Sequence, residues 1–93
     1  MKKQAPDKIL YIVHGVPGSS KPYVFSQLPG AAITSIDNQY VDRRMRKLTA
    51  AGKQIKIMFP GHIPIQYYRT FLEHFDKYLQ GYVVQFVSVT RIK

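Results

Sequence analysis

Segments with the character of β-strands and segments with helical periodicity take turns along this chain, and Gly and Pro separate them. That alternation restricts the fold more than any other feature. Strands and helices in strict rotation, with short connections, favour a parallel sheet covered by helices. Ile9 to Val13 is a continuous apolar run of β-formers, the pattern of a strand buried on both faces. Gly15, Pro17 and Gly18 break it, and Lys21 to Leu28 suits a short helix in which Pro22 is tolerated in the first turn. Pro29-Gly30 ends that helix, and Ala31 to Ile36 reads as a second strand. Asp37 is a good N-cap for a helix running to about Ala51, with Val41, Met45 and Leu48 on one face, Tyr40 beside them and Gly52 closing it. Ile55 to Phe59 marks a third strand, stopped by Pro60-Gly61. After Pro64, the residues Ile65, Tyr68, Leu72, Phe75 and Leu79 build an apolar stripe widened by Phe71, and Gly81 ends it. Tyr82 to Val89 is the fourth strand.

The expected fold is a small α/β domain, a four-stranded parallel sheet in three layers with the order β-α-β-α-β-α-β. It occupies residues 8–93, after a flexible polar lead-in at 1–7. A mixed sheet, with the last strand antiparallel at one edge, is the alternative. With 93 residues the chain has room for one domain. There is no cysteine, which excludes a disulfide scaffold, a thiolate zinc site and thiol catalysis.

Charge speaks to partners. Lys and Arg number 14 against 5 acidic residues, a formal +9. Residues 1–56 carry ten of those cations against three acids, so the excess sits in the first half. Such a half favours phosphate-bearing partners, because each cation that displaces a counterion adds salt-dependent affinity. No apolar run approaches the roughly 18–20 residues of a membrane span. Met1-Lys2-Lys3 imitates the head of a signal peptide, but Asp7 and Lys8 interrupt it and no cleavage site follows. A cytoplasmic location is expected.

The loop after the first strand is the candidate site. His14-Gly15-Val16-Pro17-Gly18-Ser19-Ser20-Lys21-Pro22 joins a buried strand to a helix, where amide hydrogens, a helix N-terminus and a lysine can surround a phosphate. It resembles the Walker A loop of P-loop kinases, G-x-x-x-x-G-K-[ST], and above all the G-x-P-G-S-G-K-[ST] form of the polynucleotide kinase group. Gly15, Pro17, Gly18, Ser19 and Lys21 match; Ser20 stands where that form has glycine, and Pro22 where it has Ser or Thr. The resemblance implies a P-loop-kinase-like layout and a phosphate held by Gly15, Gly18, Ser19, Ser20 and Lys21, with ATP or GTP as the nucleotide. It places Asp37 near the family's catalytic aspartate and Arg43 where an arginine could meet the substrate phosphate. The family's magnesium-binding hydroxyl, its later acidic residue and its arginine-bearing lid are missing here. Binding without efficient phosphoryl transfer is therefore expected. Any catalysis would be phosphotransfer of the polynucleotide kinase type.

Other residues offer further readings. Arg43, Arg44, Arg46 and Lys47, followed by Lys53 and Lys56, form a basic stretch able to grip a nucleic-acid backbone. Tyr23, Tyr40, Tyr67 and Tyr78 have no clear core position and suit stacking on bases or a protein interface. His14 and His62 fall at predicted strand ends and His74 on the polar side of a helix, but without acidic ligands or HxH or HExxH spacing no metal site is expected. The leading function is a phosphate-, nucleotide- or nucleic-acid-end-binding domain. The alternative is an inhibitor or adaptor that docks on an acidic protein, with the loop a vestige.

Overall fold

The structure is a computed structural model that describes residues 8–16, 18–33, 37–59 and 64–89. Its elements follow the alternation of the sequence: β1 (Ile9–Gly15), α1 (Lys21–Gln27), β2 (Ala31–Ile33), α2 (Asn38–Ala50), β3 (Ile55–Met58), α3 (Ile65–His74) and β4 (Val83–Val89). The four strands form one sheet in the order β2-β3-β1-β4. Every pairing is parallel, with Ile12 beside Ile57 and Phe86, and Ile33 beside Ile57. The last strand is thus not antiparallel. A parallel last strand follows from α3 carrying the chain back to the starting end of the sheet.

Three layers result. Leu10, Ile12, Ile33, Ile55 and Ile57 face α2 and α3, meeting Val41, Met45, Leu48, Tyr68, Phe71 and Phe75. Val13 and Val89 face α1, with Phe25 filling the space between. The right-handed rule explains the division: the connection leaving β1 runs towards β2, whereas those leaving β2 and β3 run the other way, so their helices lie on the opposite face. β1 is interior, which matches its unbroken apolar sequence. β3 is interior too, yet it alternates: Ile55 and Ile57 enter the larger core while Lys56 is half-buried on the α1 side.

One boundary differs from expectation. α3 stops at His74 rather than reaching Leu79. Beyond it i→i+3 turns predominate, with Asp76 bonded to Glu73, Tyr78 to Phe75 and Tyr82 to Leu79, and one helix-type bond from the Leu79 N–H to the Phe75 carbonyl at 3.1 Å remains among them. Gly81, at φ +83°, then turns the chain into β4. Tyr78 and Leu79 still pack on the core, so the apolar spacing persists although the helix does not. β2 is described as three residues, Ala31–Ile33; the rest of the expected strand, 34–36, lies outside the described residues, as do the lead-in at 1–7 and His62. Among the described residues no helix is long and apolar enough to cross a membrane.

Candidate functional site

β1 and β3 are neighbours whose onward connections depart in opposite directions. Such a boundary is the switch point of an open parallel sheet, where ligands settle beyond the carboxyl ends of the strands. The Gly15–Lys21 loop begins there. A Cβ on Gly15 would lie 2.5 Å from the Val89 carbonyl oxygen, so glycine is required for β4 to come this close. The chain then makes a tight turn: the Ser19 N–H donates to the Val16 carbonyl at 3.2 Å, and the Ser19 hydroxyl donates to the same oxygen at 2.7 Å. Gly18 occupies the left-handed region at φ +85°, which glycine enters without steric cost. Ser20 precedes α1, and its carbonyl accepts from the Val24 N–H at 3.0 Å. One expected phosphate donor, the Ser19 amide, is therefore used to close the turn.

Lys21 is the first residue of α1 and is only 6% exposed. Its side chain crosses from the β1 loop to the end of β3, where the ammonium donates to the Phe59 carbonyl at 3.2 Å. The ring of Phe59 points into an aromatic group, 5.3–5.4 Å from Tyr67, Tyr68 and Phe71 in edge-to-face geometry. Beside it, between α2 and α3, opens a cleft of about 310 Å³ lined by Asn38, Val41, Phe59, Tyr67, Thr70, Phe71, His74 and Phe75. Its floor is apolar and its rim polar, the make-up of a small-molecule site at the lower end of the usual size range. Sequence reasoning does not locate this cleft. Tyr67, 44% exposed and outside the apolar stripe, is the one signal that α3 carries aromatic surface beyond its core face.

Asp37 emerges on the same rim as the N-cap of α2. Its Oδ1 accepts from the amides of Gln39 at 2.8 Å and Tyr40 at 3.1 Å. The remaining predicted cations do not form one surface. Arg43, Arg46 and Lys47 are exposed on α2, with Arg46 paired to Asp42 at 2.9 Å and lying over the ring of Tyr78. Arg44 is half-buried and reaches the Ala32 carbonyl at 3.4 Å, on the edge strand β2. Lys53 sits in the connection from α2 to β3, at the end of the sheet away from the loop. Lys56 lies on the other face of the sheet, donating to the carbonyls of Phe25 at 2.8 Å and Leu28 at 2.9 Å while standing over the Phe25 ring. It holds the C-terminal turn of α1.

Of the aromatics without a core position, Tyr40 and Tyr78 are half-buried against the larger core, whereas Tyr23 is 67% exposed. His14 is half-buried between the rings of Tyr68 and Phe86, and His74 lies 3.7 Å from Asp42. Among the described residues no three acidic or histidine side chains gather where a metal ion could be held. Burial raises the phenol pKa of Tyr68 and of Tyr82 above the ordinary tyrosine value. No family model, curated protein or solved structure matches the chain.

Proposed function

We propose that the chain binds the phosphate group of a nucleotide or a nucleic-acid end at the rim where β1 and β3 finish, without efficient phosphoryl transfer. The placement of Lys21 carries this reading. Its ammonium stands at the switch point, and an arriving phosphate would exchange the Phe59 carbonyl for anionic oxygens. Phe59 links the loop to the cleft, since its carbonyl meets Lys21 and its ring forms part of the cleft wall. A phosphate beside Lys21 therefore directs the attached sugar and base towards aromatic surface, where stacking contributes roughly 1–3 kcal/mol per base. The exposed Arg43, Arg46 and Lys47 add non-specific attraction for a polyanion. Asp37 serves α2 as its cap, and Pro22 offers no hydroxyl for magnesium, so the reading is one of binding.

Isothermal titration at low salt with ATP, GTP and a 5′-phosphorylated oligonucleotide tests the proposal, with the unphosphorylated oligonucleotide as control. Lys21→Met keeps the buried stem and removes the charge. It should weaken phosphate-dependent binding about 10- to 100-fold, the range of one hydrogen bond to a charged group. Absence of binding by the wild-type chain, or equal binding by a folded Lys21→Met chain, would refute it.

A further inference from the structure

The two edges of the sheet are finished differently. Along the edge strand β2, Arg44 lies over the outer side and donates to the Ala32 carbonyl. A cation laid over an edge strand is a common way to close it against further pairing. Among the described residues β4 has no such cover. Its described residues, Val83–Val89, hold no charge, proline or glycine, and among the described residues it pairs with β1 alone. Val83 is 47% and Phe86 43% exposed, and the two side chains stand on opposite faces, so the helices leave both sides of the strand open.

The backbone of β4 has a definite polarity. The Val83 N–H donates to the Lys8 carbonyl at 2.9 Å, so Val83, Gln85, Val87 and Val89 direct their peptide groups at β1. Alternation turns the N–H and C=O groups of Val84, Phe86 and Ser88 outwards.

We propose that this edge takes β4 of a second copy of the chain, antiparallel, about a two-fold axis through Phe86. In that register Phe86 opposes Phe86 of the second copy, and Val84 opposes Ser88 in both directions. All three are outward positions, so each opposed pair exchanges two backbone hydrogen bonds, six in total, and two four-stranded sheets become one of eight strands. The two Phe86 rings meet on the α3 face, beside Tyr68 and His14, over surface that each leaves uncovered alone. Charge selects the occupant. Two chains of +9 repel each other, but Tyr82 to Val89 contains no cation, so along β4 itself no like charges are opposed and salt screens the remainder. An acidic partner would gain nothing from an uncharged edge.

Sedimentation equilibrium of the full chain over a wide concentration range, with the variants Ser88→Pro and Phe86→Lys, tests the proposal. The Ser88 N–H points away from β1, so proline there spares the chain's own ladder. It deletes two of the six bonds and should weaken the dimer about thirty-fold, at about 1 kcal/mol each. Phe86→Lys sets two ammonium groups at the axis and should leave only monomer. Amide exchange at Val84, Phe86 and Ser88 should slow as concentration rises. A wild-type chain that stays monomeric throughout overturns the proposal, as does a dimer indifferent to Ser88→Pro. Edge amides already protected in the monomer, protection gained only with an acidic protein, or growth into open-ended fibres overturns it equally.

Discussion

Replacing Lys56 with methionine separates a structural role from a ligand-binding one. The Lys56 ammonium donates to the Leu28 carbonyl, beyond the end of α1, and to the Phe25 carbonyl in its last turn, and it stands 4.7 Å over the Phe25 ring. A hydrogen bond from a charged donor contributes about 1.5–3 kcal/mol. The lower figure applies here, because the side chain is half-buried and the Phe25 carbonyl keeps the Leu28 N–H at 3.2 Å. Two such bonds give a loss of about 3 kcal/mol for Lys56→Met, and the methionine stem preserves packing. For a domain of this size each kcal/mol moves the midpoint by roughly 4–8 °C, so thermal unfolding followed by circular dichroism should fall by roughly 12–24 °C. Oligonucleotide affinity, measured against salt where both proteins are folded, should keep its slope. Arg43→Ala, which removes an exposed cation, should lower that slope by about 1. An unchanged midpoint with a reduced slope for Lys56→Met would refute the reasoning, since the ammonium would then be meeting phosphate instead of α1.

Asp37→Ala should cost about 1 kcal/mol in urea denaturation, because two amides of α2 lose their acceptor, while Asp37→Asn should retain most of the stability. Equal losses in both variants would contradict the cap. The raised phenol pKa values of Tyr68 and Tyr82 give a pH dependence whose sign is determined: above pH 10 the unfolded chain releases these protons while the folded chain keeps them, so stability falls as pH rises until the folded phenols ionise. Denaturation series run from neutral pH to beyond 10 should show a smaller alkaline loss for Tyr82→Phe than for wild type, although that variant starts lower for want of the Tyr82–Lys53 carbonyl bond of 2.6 Å. Parallel curves would remove burial as the cause.

The succession of elements, and the local devices that start and stop them, can be read directly from the residues. The unbroken apolar run at Ile9–Val13 announces an interior strand, Asp37 announces a cap, and Val41, Met45 and Leu48 announce a buried face. Each is legible because periodicity and capping act between residues a few positions apart. The same locality explains the overshoot of α3: apolar spacing continues through Tyr78 and Leu79, but their burial is served equally well by a series of turns. The strand order, and with it which side chains meet, arose from packing between elements distant along the chain. Lys21 reaching Phe59, Lys56 holding α1, Arg44 covering β2 and the cleft between α2 and α3 join residues from different elements. A run of cations in the sequence carries no sign of how a folded sheet will divide it between its two faces and its two ends. The open side of β4 belongs to the same class, because an edge exists only once the other strands have taken their places.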